Sequence, residues 1–360
     1  MYLSIISILF SIYIIWKIST SFDLAANFLT RNMAEGIKGP TINAAASSLP
    51  ELIISSMFLF YYKDVLGFSS GYATIIGSSA FNIACIPVIS YLFLYAKNNK
   101  VYLRIDQNVI LEDTFFLILS FIVLFLGFFF GLSFFISASL IIIYIIYILY
   151  VYYKRSNRII SKVKEELNVE QKSVKHDSSN LFLSILNLRI FLIFFKNKIS
   201  FKSSLFVILL SVVLIGFSCH VLISAVAEIS NIYSINLFFT SFIIVAIASS
   251  IPDTILSVYD AKNNRFVDAF SNAYASNIFD ICIGLGLPLM VYTFIYGTID
   301  LNIPIERIGF LGDTILNGNL FLWSLILLCC FTFVASSIYY FKSLNIKISV
   351  LLFVLYIAYV

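Results

Sequence analysis

Residues 46–55 read ASSLPELIIS, and residues 248–257 read ASSIPDTILS. A second pair follows: residues 77–83 read GSSAFNI and residues 275–281 read ASNIFDI. The first pair is offset by 202 residues and the second by 198, so each half carries the same two motifs in the same order. Every copy lies inside an apolar run. Self-similarity of this kind, with interrupted apolar segments at matching places in the two halves, marks an internally repeated membrane transporter.

The rest of the chain agrees with a life in lipid. Its 360 residues are 61% hydrophobic and 12% charged, with a mean hydropathy of +0.99. Soluble domains are nearer a quarter charged. Apolar runs fall at about 2–33, 37–61, 69–96, 113–131, 133–153, 204–231, 235–262, 265–296, 318–341 and 344–360. A spanning helix needs roughly 20 residues, so each run is expected to supply one span, ten in all, five on either side of a polar stretch. The fold class is all-α integral membrane protein. Its units are a first repeat at 1–153, a basic loop at 154–203 and a second repeat at 204–360.

The N-terminus, MYLSIISILFSIYIIWK, lacks a basic leader and a small-residue cleavage site, so an uncleaved first helix is expected. Its run is longer than a bilayer requires and contains Asp23 and Arg31, which predicts strong tilt or an extension past the surface.

With ten spans, 20 of the 23 basic residues fall on the side of the odd-numbered connections. They include Arg31, Lys38, Lys97, Lys100, Arg104, Lys262, Arg265, Lys342, Lys347 and the eleven between Lys154 and Lys202, whereas Lys63 and Arg307 lie opposite and Lys17 lies within the first span. Positive charge collects on the cytoplasmic side, so the 154–203 loop is expected there and both termini outside. Within that loop the segment 181–195, LFLSILNLRIFLIFF, is short for a span and carries Arg189; an interfacial amphipathic helix is expected. No EF-hand pattern or dense acidic cluster suggests a Ca²⁺-regulatory domain. The five cysteines, Cys85, Cys219, Cys282, Cys329 and Cys330, lie in apolar runs without metal-ligand spacing and read as small hydrophobes.

The second copy of the motifs must enter the membrane with opposite polarity, because five spans separate the halves. Glu51, Asp253 and Asp280 are then intramembrane carboxylates, each costing about 3 kcal/mol on insertion scales unless it meets a partner or a cavity. Asn82 is the neutral counterpart of Asp280. Pro50 and Pro252 lack an amide hydrogen and free carbonyl oxygens just ahead of each acid. Ser47, Ser48, Ser249 and Ser250 add hydroxyl oxygens. An all-oxygen shell suits hard cations such as Ca²⁺ and Na⁺, and the absence of His and Cys from the motifs disfavours zinc and copper. Three carboxylates cannot all stay ionised in an empty dry site, so either a cation is held or one acid carries a proton, and acid should compete with Ca²⁺.

These motifs also resemble a known family. Ala46 to Glu51 is similar to the G-T-S-x-P-E signature of the first alpha repeat of the cation/Ca²⁺ exchanger superfamily, and Ala248 to Asp253 to its second copy. Gly77 to Asn82 and Ala275 to Asp280 resemble the partner motif G-S-N-x-x-[ND]. The resemblance implies the sodium/calcium exchanger fold, two inverted five-helix repeats with spans 2, 3, 7 and 8 around a central site. Spans 1 and 6 would slide across that core to give alternating access. It implies as ligands Glu51, Asp253, Asp280, Asn82, the hydroxyls of Ser47, Ser48, Ser249, Ser250, Ser78 and Ser276, and the carbonyls of Ala44 and Ala246. The expected activity is Ca²⁺/Na⁺ antiport with no cofactor and no enzyme chemistry, in the plasma membrane. Ca²⁺/H⁺ exchange, K⁺-dependent exchange and a channel are the alternatives, and a non-transporting scaffold fits the retained acids poorly. The proton branch's G-N-x-x-E signature is absent. Departures are Ala at 46, 248 and 275, Ser at 47 and 249, and Ser79 where Asn is usual. Asp at 253 and 280 matches the K⁺-dependent branch, and some microbial K⁺-independent exchangers share Asp at the latter position, so K⁺ coupling stays open.

Other polar residues read more plainly. Thr41 and Asn43 are expected to bond between helices. His220 is expected to be a satisfied interhelical side chain. Asp23 and Glu228 fall at matching depths of the two gate helices, and Asp260 and Asp268 flank Lys262 and Arg265 at a turn expected to be solvated. Gly284-Leu-Gly286-Leu-Pro288 is expected to serve close packing and a kink.

Overall fold

The computed structural model describes residues 2–29, 37, 39–97, 105–162, 187–195, 199–262, 265–301 and 320–360. Arg31, Lys38, Lys100, Arg104, Arg307 and residues 181–186 of the short apolar segment lie outside these. Among the described residues the fold is helical, apart from an antiparallel bridge between Leu132 and Ile299, a bridge residue at Leu344 and the connecting turns. Helix is the required solution here, since lipid offers the backbone no hydrogen-bond partner.

The first half contains α1 (Tyr2–Leu29), a π-helical turn (Gly39–Asn43) running into α2 (Ala44–Ser47), then α3 (Leu49–Tyr62), α4 (Asp64–Lys97), α5 (Gln107–Phe130) and α6 (Phe134–Lys162). A short α7 (Ile190–Phe195) belongs to the central connection. The second half contains α8 (Phe201–Tyr233), α9 (Leu237–Thr240), a π-turn (Ser241–Val245), α10 (Ala246–Ser249) and α11 (Ile251–Lys262). It continues with α12 (Phe266–Phe279), a π-segment (Asp280–Leu285), α13 (Gly286–Tyr296), α14 (Leu320–Phe341) and α15 (Ile346–Tyr359). Polar caps begin several of these helices. Asp106 accepts from the Asn108 amide at 2.9 Å, Asn345 from Ile348 at 3.0 Å, and Ser200 and Ser203 cap α8 reciprocally.

Among the described residues, eight helices are long and apolar enough to cross a bilayer, or nine when α2 and α3 are taken as one bent span. The ten-span expectation is therefore met only to nine: the tenth apolar run is a 14-residue helix, α15. At 1.5 Å per residue it is shorter than a hydrocarbon core of about 30 Å. The sixth helix also runs past the expected boundary at 153 to Lys162.

Three groups of helices position the site. The helices α1 and α8 pack along each other and meet the centre through α3 and α11, with Ile15, Ile18, Cys219, Leu222 and Val226 buried at that seam. The centre is α2/α3, α4, α10/α11 and α12/α13. Outside it lie α5, α6, α14 and α15, sharing a core with α4 that contains Tyr72, Leu117, Leu124, Tyr147 and Phe321. Near the central connection, Lys17 donates to Asn187 Oδ1 at 2.9 Å and Ser21 donates to the Leu188 carbonyl at 2.8 Å. Ile190 and Phe191 of α7 are buried with Ala25 and Val207, so this piece of the connection lies against the α1/α8 pair.

Candidate functional site

Both proline motifs break their helices at the same place. Ser48 sits at φ −88°, ψ 9° and Ser250 at φ −77°, ψ 0°, each between a short helix and the one that follows. Pro50 and Pro252 stand in the first turn of α3 and α11, where a missing amide hydrogen costs least. The carboxylates Glu51 and Asp253 follow at once, in a first turn whose dipole favours negative charge. The two breaks are not equal: the first bends by 48°, whereas the residues from Leu237 to Lys262 form one span.

Close packing brings the halves together. A Cβ on Gly77 of α4 would lie 2.0 Å from the Phe242 carbonyl oxygen and 2.8 Å from Ala246 Cβ. Only glycine lets α4 approach the π-turn of the other half at this point.

The structure gathers the three acids. Glu51, Asp253 and Asp280 are each fully buried, and each offers a carboxylate oxygen within 4.8 Å of the other two. Asp253 is held by Ser276, which donates to Oδ1 at 2.7 Å, and by Asn82, whose Nδ2 donates to Oδ2 at 3.2 Å. Ser249 lies beside Glu51, Ser47 beside Asp253 and Ser48 beside Asp280. Yet both oxygens of Glu51, both of Asp280, Asn82 Oδ1, Ser48 Oγ and Ser250 Oγ are buried without a hydrogen-bond partner. Buried polar atoms are nearly always satisfied. A cluster of orphaned acceptors, four of them carboxylate oxygens of Glu51 and Asp280, has the donor set of a hard-cation site.

The remaining expected ligands are engaged locally. Ser47 donates to the Asn43 carbonyl at 2.8 Å, Ser78 to Ile75 at 3.0 Å and Ser249 to Ala246 at 3.1 Å. The carbonyls of Ala44 and Ala246 accept the amides of Ser48 at 3.0 Å and Ser250 at 3.1 Å, and each also takes a serine hydroxyl, from Ser47 at 3.4 Å and Ser249 at 3.1 Å, so a cation at either carbonyl would displace a hydroxyl donor.

One residue missed in the sequence joins this network. Asn277 accepts from Asn82 Nδ2 at 3.0 Å and donates to the Ser79 carbonyl at 3.1 Å, so it ties the two partner motifs together. Its signal was its place in ASNIFDI, opposite Ser79 in the repeat.

Several outlying residues differ from expectation. His220 is exposed on the outer face of α8 rather than bonded between helices, because its side chain points away from the α1 seam. Glu228 is exposed too, and Asp23 is half-buried. Asp260 and Asp268 are fully buried rather than solvated. Arg265 pairs with Asp260, and Asn43 Nδ2 reaches Asp260 at 3.2 Å, a bond between segments of the two halves. Gly286 packs on α6, 3.2 Å from Leu140 Cβ to a built Cβ.

Comparison with known proteins places these features. The sequence model of the family described as sodium/calcium exchanger protein matches residues 3–153 and 203–360. The sodium/potassium/calcium exchanger 2 of Mus musculus is 47% identical over 53 residues, a stretch covering 15% of this chain and 8% of that relative. Two solved structures share the fold over 99% of this chain. The H⁺/Ca²⁺ exchanger CAX does so at 17% identity with a TM-score of 0.68 and 80% of its own chain covered. The sodium-calcium exchanger NCX_Mj does so at 18% identity with a TM-score of 0.60 and 97% covered.

Proposed function

The chain belongs to the sodium/calcium exchanger family, a family of membrane transporters that exchange Ca²⁺ and other cations, and we propose that it moves Ca²⁺ against Na⁺ by alternating access. The observation that carries this reading is the buried triad of Glu51, Asp253 and Asp280, with carboxylate oxygens within 4.8 Å of one another and those of Glu51 and Asp280 unpartnered. In this reading Asn82, the hydroxyls of Ser47, Ser48, Ser78, Ser249, Ser250 and Ser276 and the carbonyls of Ala44 and Ala246 complete the shell. Ca²⁺ takes about six to eight oxygens, so not every one of these need bind at once, and Na⁺ would occupy overlapping subsets.

The two halves supply one acid-bearing break each, with opposite polarity. The repeats 1–153 and 204–360 thus act as walls of a single site related by a pseudo-two-fold axis in the membrane plane. Movement of the α1/α8 pair over the central helices would uncover that site first to one side and then to the other. The 154–203 connection faces the cytoplasm of a plasma-membrane protein with both termini outside, as the basic residues favour.

Na⁺ is preferred over H⁺ because the proton-branch signature is missing. K⁺ co-dependence is the second reading: the 47% match to a sodium/potassium/calcium exchanger and Asp at both 253 and 280 favour it. In proteoliposomes an outward Na⁺ gradient should drive ⁴⁵Ca²⁺ uptake, and Glu51→Gln and Asp253→Asn should abolish it. Uptake that ignores Na⁺ and follows an imposed pH gradient would transfer the assignment to Ca²⁺/H⁺ exchange. Uptake needing K⁺ on the Ca²⁺ side would select the K⁺-dependent form.

A further inference from the structure

The two partner motifs are not held in the same way, and the difference points to a residue outside all four motifs' acids and amides. Asn82 is fixed directly, by hydrogen bonds to Asp253 and Asn277, and it sits in an uninterrupted α-helix, α4. Asp280 accepts no hydrogen bond on either oxygen. Ser48 lies beside it, and the backbone that carries it is a π-segment running from Asp280 to Leu285. A π-segment inserts a residue into the helical ladder and displaces carbonyls from their usual donors.

One of those carbonyls is gripped from the other half. Ser55 Oγ donates toward the Gly284 carbonyl at 2.5 Å, sharing its proton with the Leu52 carbonyl at 3.0 Å in its own helix. Ser55 lies four residues after Glu51, and Gly284 four residues after Asp280. Each is therefore about one turn beyond its acid, on the same side of its helix. The space beyond the bond is lined by Leu59, Phe68, Leu285 and Leu289, apolar side chains that give the carbonyl no donor. In the inverted copy the tether is missing. The counterpart of Ser55 is Ser257, which accepts from Asn272 at 3.1 Å, and the counterpart of Gly284 is Ile86, inside the continuous helix. The tether, reaching across from the first half, and the π-segment meet at the partner motif whose residue is the acid.

We infer that Ser55 is a positioning residue for Asp280: its hydroxyl holds the Gly284 carbonyl and so keeps the π-segment aiming the Asp280 carboxylate at Glu51 and Asp253. The inference rests on the reading of that triad as the Ca²⁺ site.

Calorimetric titration of the purified full chain with CaCl₂, extended into the millimolar range, tests it. Ser55→Ala should weaken Ca²⁺ binding about 3- to 10-fold, the scale of one net hydrogen bond. Ser55→Thr, which restores the hydroxyl, should return the affinity to within about twofold of wild type. Ser56→Ala, which removes only a bond to the Leu52 carbonyl, should bind as wild type does. In an Asp280→Asn background, Ser55→Ala should add no further loss, because its effect passes through that carboxylate. Wild-type affinity in Ser55→Ala, or losses that multiply in the double variant, would overturn the inference. If Ser55→Ala does not purify as a monodisperse species, Ser55→Cys, of similar size with a weak donor, is scored by the same outcomes. Failure of the underlying reading looks different: Glu51→Gln would then bind Ca²⁺ as tightly as wild type.

Discussion

Replacing Glu51 by Gln should make the ion-free protein more stable and at the same time remove most of its response to Ca²⁺. The side chain keeps its shape and burial, so packing is unchanged and only charge is lost. With carboxylate oxygens at most 4.8 Å apart, each ionised pair repels by about 3 kcal/mol at an effective dielectric constant of 20. At alkaline pH, where protons do not neutralise the cluster, Glu51→Gln relieves up to two such pairs. The ion-free melting temperature should therefore rise by several degrees, at about 2–4 °C per kcal/mol for a domain of 150–250 residues and less for a longer chain. Ca²⁺ at 100 times its dissociation constant stabilises the wild type by about 2.7 kcal/mol. Losing one charged partner costs about 2–5 kcal/mol of binding, enough to erase that gain at the same Ca²⁺ concentration. Thermal unfolding in detergent, with EGTA and then with Ca²⁺, reads both effects. A variant that melts like wild type without Ca²⁺ and shifts like wild type with it would show that Glu51 neither repels nor ligates, and the reasoning would fail.

Two further outcomes follow from the same geometry. Gly77→Ala places a methyl group 2.0 Å from the Phe242 carbonyl oxygen, so the halves must separate. A loss of about 1–3 kcal/mol is expected, seen as a lower melting temperature with or without Ca²⁺; an unshifted melt would contradict the close approach of α4 to the π-turn. Ca²⁺ binding needs ionised acids and so releases protons. The apparent dissociation constant should rise as pH falls from alkaline to mildly acid, and a flat profile across that range would exclude proton competition at the triad.

The architecture was readable wherever a physical rule acts along the chain. Lipid forces long apolar runs into helices, so α1, α4, α5, α8 and α14 follow from hydropathy alone. The repeat was readable because Pro50 and Pro252 mark helix breaks by covalent chemistry, independent of what surrounds them. What escaped depends on contacts between distant segments. Nothing local in GPTIN, SFIIV or DICIGL distinguishes a π-turn from an α-turn, and the neighbours that meet the latter two, Gly77 at Phe242 and Ser55 at Gly284, come from the other half. The burial of Asp260 and Asp268 was hidden for a similar reason. Two acids flanking Lys262 and Arg265 read as a wet turn until Asn43, 217 residues away, is seen to reach Asp260. His220 shows the reverse: helical periodicity does not say which face of α8 meets α1. Asn277 was written in the motif but weighed only as spacing, because its partner, Asn82, became visible once the halves were placed together.

The most direct test of the central claim, that two inverted halves share one cation site at three carboxylates, is anomalous diffraction from crystals soaked in Sr²⁺ or Ca²⁺. A peak is predicted within about 2.3–2.6 Å of oxygens of Glu51, Asp253 and Asp280 together, the range of Ca²⁺–oxygen bonds and slightly longer for Sr²⁺. The peak should vanish in Glu51→Gln. Ordered density for the three carboxylates with no peak between them, or a peak held by residues of one half alone, would contradict the account.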